Sequence, residues 1–209
     1  IQSQTVREYK TIHEYLVPLR MVYALSPLIT VLFLIPCVIY QRHKYGEILL
    51  YRAFVMYTFI FYLVLMYFYI ITPLPSFTYV LEHPLAARVR LNPFAFLYDI
   101  KEQLYWIITG TGTVNISHSA WFQIGGNLGL LFPFGIYMRY YFHRSLRQTV
   151  LLSMGLSLFF ELTQLTALYG IYPAPYRIFD INDLMFNTIG GALGYHASPW
   201  LTRHFRPIT

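Results

Sequence analysis

Two neighbouring apolar runs in the last third of the chain contain acidic and amide side chains. Glu161 and Gln164 lie inside the first run, and Asp183 and Asn187 begin the second. A charged or amide group is costly to expose to lipid, so such groups face protein, water or a ligand. We therefore expect these four residues to point into one polar site.

The spacing of the polar residues predicts one stripe on each helix, because residues three or four apart share a helical face. The first stripe consists of Ser153, Ser157, Glu161, Gln164 and Leu168. The second consists of Asp183, Asn187, Gly190 or Gly191, and Gly194. The glycines predict a surface on which a neighbouring helix packs closely. With Gln123 and Asn127 of an earlier apolar run, the stripes predict a polar pocket between three helices.

Two kinds of chemistry fit the carboxyl groups. In an enzyme, Glu161 and Asp183 would be the catalytic residues, with Glu161 as general acid or base. In a binding or structural protein, Glu161 would instead hydrogen-bond to Gln164, Asn127 or a neighbouring helix. Asp180 and Asp183 would suit Mg²⁺, but helix capping explains Asp183 equally well. We predict no cofactor and no metal site. Asp180 and Asp183 are the weak candidates for binding a metal ion.

Arg177 lies in the loop between the two runs, close in sequence to Asp180 and Asp183. Its planar guanidinium would clamp a phosphate with two hydrogen bonds. The alternative is an ion pair with one of the two acids. The full set of predicted ligand-binding residues is Asn127, Ser157, Glu161, Gln164, Arg177, Asp180, Asp183 and Asn187.

Several familiar chemistries have no signature in this sequence. Cys37 is the only cysteine, and the seven histidines are scattered without metal-ligand spacing. No Walker loop, dinucleotide fingerprint or G-x-S-x-G motif is present. The net charge of +6 comes without a basic run, which argues against nucleic acid as a partner.

The composition predicts an all-α integral membrane protein. Apolar residues make up 56% of the chain and charged residues 11%, whereas soluble domains carry about 25% charged residues. Five apolar runs approach the ~20 residues that a bilayer requires. The predicted bundle of five transmembrane helices covers residues 21–40, 53–71, 120–138, 149–168 and 184–201. Residues 1–20 predict an interfacial helix, and residues 72–119 predict a surface loop or re-entrant segment.

Five spans place the two termini on opposite sides of the membrane. Short connectors near the span ends carry an excess of Arg and Lys on one side, which marks the cytoplasmic face. These residues are Arg42, Lys44, Arg52, Arg139, Arg144, Arg147, Arg203 and Arg206. We therefore predict the N-terminus outside, the C-terminus inside, and Arg177 at the outer mouth of the pocket.

Three sequence blocks occur in order along this part of the chain. They are Asn127-Leu-Gly-Leu-Leu-Phe-Pro-Phe-Gly135, Ser157-Leu-Phe-Phe-Glu-Leu-Thr-Gln164 and, after Arg177, Asp180-Ile-Asn-Asp-Leu-Met-Phe-Asn-Thr-Ile-Gly-Gly-Ala-Leu-Gly194. Their order and spacing resemble the VanZ family of bacterial membrane proteins. Asn92-Pro93-Phe94 resembles a weaker upstream element of that family.

The resemblance implies several membrane spans, a location in the bacterial plasma membrane and, as for the founding member, resistance to the lipoglycopeptide teicoplanin. Our first hypothesis is a non-catalytic protein. Its outer-leaflet pocket would bind a lipoglycopeptide or the polar head of a polyprenyl-linked cell-wall precursor or other envelope lipid. The alternatives are a membrane enzyme acting on lipid-linked phosphate or sugar, and an assembly subunit of an envelope complex.

Overall fold

The computed structural model describes residues 2–71, 77–82, 85, 89–110 and 119–205, with side chains from residue 24 onward except those of residues 77 and 79. The helices in these ranges are α1 (Gln2–Tyr45), α2 (Leu50–Ile71), α3 (Phe77–Glu82), α4 (Ala95–Thr109), α5 (Ala120–Tyr140), α6 (Leu146–Leu165), α7 (Ala167–Gly170) and α8 (Ile181–Leu201). Two short strands, β1 (Val89–Arg90) and β2 (Phe179–Asp180), pair in parallel. The predicted all-α class is confirmed, with one two-residue strand pair added. The chain divides into two compact units, Ile1–Ser76 and Phe77–Thr209.

The first unit is built from α1 and α2. Because α1 is continuous, the expected boundary between an interfacial segment 1–20 and a span 21–40 falls inside one helix. Gly46 follows its end, with a φ of 77° that suits glycine and an N–H that donates to a carbonyl one turn earlier. Within the described residues, two helical stretches are long and apolar enough to cross a membrane, Ala24–Tyr45 and Leu50–Ile71.

The burial pattern of α1 is the reverse of that of a helix in a soluble protein. Ser26, Thr30 and Gln41 of α1 are buried, whereas Leu28 and Phe33 are 60% and 62% exposed. Water disfavours such an apolar surface, but lipid accepts it, and small polar residues at helix contacts are typical of membranes. The first unit therefore has the surface of a membrane protein.

The second unit is organised around the contact between α5 and α8. A Cβ atom built on Gly190 would collide with the carbonyl oxygen of Leu128, and one on Gly194 with the carbonyl oxygen of Phe132. Gly135 of α5 meets the backbone of α8 in the same way. Only glycine allows two helix backbones to approach this closely, so the predicted close-packing surface is confirmed.

The helix α6 is shorter at its C-terminus than the sequence predicts. It ends at Leu165, and Ala167, Leu168 and Tyr169 have φ angles of 54°, 55° and 58°. Left-handed backbone costs an L-residue roughly 1–2 kcal/mol; here the Thr166 hydroxyl stabilises the turn by accepting the Tyr169 N–H at 3.2 Å. Leu168 is therefore not part of the stripe on α6, and that part of the prediction is wrong.

Part of the region expected as a loop or re-entrant segment, residues 72–119, is helical. It contains α3, β1 and the fifteen-residue α4, which is followed by Gly110 at a φ of 65°. Val89 and Arg90 of β1 stand in register with Phe179 and Asp180 of β2. The strand pair thus fixes this region to the beginning of α8. Residues 72–76, 83, 84, 86–88 and 111–118 lie outside the described residues.

Candidate functional site

Asn127 of α5 and Asp183 of α8 meet where the two helices pack. The Asn127 side-chain amide donates a hydrogen bond to Asp183 Oδ1. Asp183 lies in the first turn of α8, where the positive end of the helix dipole also favours a negative charge. The structure therefore joins two residues that the sequence analysis assigned to different helices of one polar pocket.

Asp180 and not Asp183 caps α8. Asp180 Oδ1 accepts the backbone N–H of Asn182 at 2.8 Å and the Asn182 side-chain amide at 2.7 Å. The backbone N–H of Asp180 donates to Glu161 Oε2 at 3.1 Å. The capping role predicted for Asp183 is wrong, because the helix begins three residues earlier. The buried carboxyl group of Glu161 holds the residue from which α8 starts.

Arg90 enters the site from β1. Its Nη2 lies 2.7 Å from Asp99 Oδ2, and its Nη1 lies 3.5 Å from Asp180 Oδ2. The carbonyl oxygen of Asn92 accepts a hydrogen bond from the Asn182 side-chain amide at 3.1 Å. One cation and one carbonyl from the segment before α4 therefore bind the N-terminal end of α8.

A second contact of polar residues lies between α6 and α8. Asn187 Nδ2 donates to Ser157 Oγ at 2.9 Å, and both residues are buried. A Cβ on Gly191 would collide with Ser153 Oγ, so the serine stands against the glycine surface of α8. In the described part of the chain, neither Asn187 Oδ1 nor Ser153 Oγ has a hydrogen-bond partner.

A cleft lies between α4, α5 and α8, and we call it the acidic cleft. Its polar lining is Asp99, Gln123, Asn127, Asp180, Asn182 and Asp183. Phe96 and Phe186, in edge-to-face contact with ring centroids 5.1 Å apart, line it as well. The volume open to water-sized occupants is about 10 Å³, close to the room that one water molecule needs.

The acidic cleft is lined by the carboxyl groups of Asp99, Asp180 and Asp183, and Arg90 is the cation bonded to Asp99 and Asp180. Asp183 instead accepts the Asn127 amide and has no ion pair among the described residues. The cleft therefore favours a ligand group that adds positive charge.

Arg177 stands apart from the hydrogen-bonded cluster. Its side chain is exposed, and no ion pair joins it to Asp180 or Asp183. The interpretation that pairs Arg177 with one of these acids is therefore wrong. Its charge still acts on Glu161 and Asp183, so it lies near the site with its donors available to solvent. Gln164 is buried on the same helix as Glu161.

Four residues of the site were not predicted: Arg90, Asp99, Asn182 and Asn92, whose carbonyl oxygen accepts the hydrogen bond from Asn182. The only sequence signal was the Asn92-Pro93-Phe94 element. Asn182 lies inside a recognised block but off the predicted stripe. In the described ranges, no group of three or more His, Cys, Asp or Glu side chains could hold a metal ion. The structure thus adds no third ligand of these types to Asp180 and Asp183.

Comparison with known proteins places the site in a family context. No curated protein and no solved structure matches the chain. A family model described as VanZ/LLP1 matches residues 59–202, well over half of the 209 residues. The match begins within α2 and contains α4, α5, α6 and α8, so it extends upstream of the three recognised blocks and covers every residue of the acidic cleft. This chain is therefore a member of the VanZ family, and it is a membrane protein.

Proposed function

We propose that this protein is a multi-pass membrane protein that binds the polar part of a lipoglycopeptide or envelope lipid without catalysing a reaction. Binding occurs at the acidic cleft and the neighbouring Arg177, and it contributes to resistance against glycopeptides such as teicoplanin. The two candidate membrane helices and the family membership support a membrane location. The observation that best supports the binding role is the hydrogen-bonded cluster of Asn127, Asp180, Asn182 and Asp183, which lines an open cleft.

The surface of α6 supports additional spans beyond α1 and α2. α6 buries Thr149, Ser153 and Ser157 and exposes Leu151 and Leu158. Such a helix would be poorly solvated in water but suits lipid on its outer face and protein on its inner face. With α5 and α8, which are 21 residues long each, α6 completes the five spans that the sequence predicts. In the proposed orientation the N-terminus is outside and the C-terminus inside.

The hydrogen bonds of the acids favour binding over catalysis. Glu161 accepts the backbone N–H of Asp180, and Asp183 accepts the amide of Asn127. A general acid or base must reach the reacting proton within hydrogen-bond distance. Glu161 is buried and is not among the residues that line the acidic cleft. It therefore positions Asp180, while Asp180 and Asp183 face the ligand.

Arg177 gives the proposed ligand a second point of attachment. An exposed guanidinium near a cleft is suited to bidentate recognition of phosphate. A lipid-linked precursor or a phospholipid carries its phosphate between the membrane-embedded chain and the rest of the head group. Arg177 can therefore contact the phosphate while the acidic cleft contacts another part of the same head group.

The test is saturable binding of purified protein to a lipid-linked cell-wall precursor and to teicoplanin, paired with teicoplanin susceptibility of a Gram-positive host that expresses the protein. We expect Arg177→Gln to weaken binding of phosphate-bearing ligands about tenfold, because a charge-assisted hydrogen bond contributes about 1.5–3 kcal/mol. Arg147→Gln removes the same charge at an exposed position near the N-terminus of α6 and serves as the matched control. Absence of saturable binding to any of these ligands would refute the proposal.

A further inference from the structure

The acidic cleft has an excess of hydrogen-bond acceptors and of negative charge. Asp99, Asp180 and Asp183 line it, and Arg90 is the cation bonded to two of these acids. Three carboxylates against one guanidinium repel a phosphate and attract a cation. The anionic part of a ligand therefore belongs at Arg177 and not inside the cleft.

Asn182 offers an independent indication of what the cleft receives. Its side-chain amide donates to the carbonyl oxygen of Asn92 and to Asp180 Oδ1. Both partners are acceptors, so the NH₂ group must face them, and the orientation of the amide is fixed. Asn182 Oδ1 is then left buried with no hydrogen-bond partner in the described part of the chain, in a residue that is only 5% exposed.

An unpaired buried acceptor is costly, and such groups are normally satisfied by protein, water or a ligand. Asn182 lines the acidic cleft, so a donor placed there is the simplest partner for its Oδ1. Asp99, Asp180 and Asp183 around it supply further acceptors, and the Asn127 and Asn182 amides already donate to carboxylate oxygens. The remaining amide of the lining, that of Gln123, belongs to an exposed residue. The vacant partner is therefore a hydrogen-bond donor.

The size and walls of the acidic cleft narrow the class of donor. The room of about 10 Å³ matches a group the size of one water, such as a primary ammonium, more closely than a trimethylammonium. Three N–H donors of an ammonium match several oxygen acceptors at once. Phe96 and Phe186 line the same cleft and add aromatic surface, which attracts cations.

We propose that the acidic cleft recognises a primary ammonium group on the ligand, held by the carboxylates of Asp99, Asp180 and Asp183 and by Asn182 Oδ1. This inference rests on the proposed binding function and deepens it. With Arg177 at the phosphate, the preferred head group is zwitterionic: a phosphate followed within a few bonds by a primary amine.

The test compares three phospholipids with identical acyl chains on the purified full-length chain, using native mass spectrometry to measure dissociation constants. Phosphatidylethanolamine carries the primary ammonium, phosphatidylcholine carries the same charge without N–H donors, and phosphatidylglycerol carries no cation. We expect phosphatidylethanolamine to bind at least roughly tenfold more tightly than either of the others, which is the effect of one charge-assisted hydrogen bond.

Asp99→Asn identifies the cleft as the source of this preference. Asp99 is about one third exposed (35%), so the fold should tolerate the change, and Arg90 keeps Asp180 as its partner. We expect the preference for phosphatidylethanolamine to fall roughly tenfold, towards that for phosphatidylcholine. Glu102→Gln removes an exposed acid one turn along α4 and should leave the preference unchanged.

The outcomes separate this inference from the function on which it rests. Equal binding of the three phospholipids would overturn the ammonium site while leaving a lipid-binding protein. An unchanged preference in Asp99→Asn would overturn the assignment to the acidic cleft. Failure of all three lipids to bind would overturn the inference, and it would refute the proposed function as well only if the lipid-linked precursor and teicoplanin also fail to bind.

Discussion

The helix pair α1–α2 and the helices α5, α6 and α8 make helix contacts in different ways. In the pair, apolar side chains such as Phe59 and Met66 are buried beside small polar residues, and nearly all outward-facing positions are apolar. In the second group, glycine backbones touch, and acids and amides occupy the interior. A helix that builds a polar site therefore replaces apolar side chains with glycine, serine and asparagine.

This difference explains why hydropathy separates the two regions. Among the described residues, Ala24–Tyr45 and Leu50–Ile71 are the stretches long and apolar enough to cross a membrane. α5, α6 and α8 are 20 or 21 residues long, but the polar residues and glycines within them lower their mean hydropathy. In α6 the buried polar residues occur together with an exposed apolar surface that includes Leu151 and Leu158.

The largest expected effect lies at the glycine contact of the second region. Gly194→Ala places a Cβ far inside van der Waals contact distance of the Phe132 carbonyl oxygen, and the helices must separate. We expect a loss of about 3 kcal/mol in the free energy of unfolding, at the upper end for overpacking, measured by denaturant titration in detergent. Gly129→Ala on α5 has open space and should not destabilise the protein; equal losses in both variants would contradict the close packing.

The glycine contacts of α8 belong to the part of the architecture that could be predicted from the sequence. Helical spacing predicted that Asp183, Asn187 and Gly194 share a face of α8 with Gly190 or Gly191, because a 3.6-residue period fixes which side chains share a face. Contacts of this kind repeat along a helix and are therefore visible in a short sequence window.

The other half of the site could not be predicted in this way. Arg90 reaches Asp180 across 90 residues through a strand pair of two residues, too short to leave an alternating pattern. The true start of α8 at Asp180 depends on hydrogen bonds from Asn182 and to Glu161, which no spacing rule specifies. The Arg90–Asp180 contact and the start of α8 both depend on partners that are distant in the sequence.

A smaller effect is expected when one partner of a half-buried polar pair is removed. Asn127→Leu leaves the carboxylate of Asp183 without the amide that donates to it. We expect a loss of about 1 kcal/mol, the lower end of the roughly 1–3 kcal/mol that an unsatisfied buried group costs, because both residues are only half-buried. Gln123→Leu, one turn earlier at an exposed position, makes the same substitution without a buried partner. A double-mutant cycle with Asp183→Asn that shows no coupling would rule out the pair.

Glu161→Gln tests whether the second region uses its most buried acid for structure or for ligand binding. Glutamine keeps an oxygen that can accept the Asp180 N–H, so we expect a loss of only about 1 kcal/mol, the difference between a charge-assisted and a neutral hydrogen bond. At matched membrane levels, checked by immunoblot, the variant should protect a Gram-positive host from teicoplanin as well as the wild type. Loss of protection at equal levels would give the carboxylate a direct role in ligand binding.

The smallest effect is expected on the outer face of the first region. Leu28→Ala alters a side chain that is 60% exposed and that faces lipid in a membrane, so the free energy of unfolding should change by less than about 0.5 kcal/mol. The same substitution at Leu131, which is fully buried in α5, should cost about 2–5 kcal/mol by leaving a cavity. Unfolding of both variants in lipid nanodiscs measures the contrast. If Leu28→Ala were as damaging as Leu131→Ala, the outer face of α1 would have to be buried against protein, and the comparison between the two regions would fail.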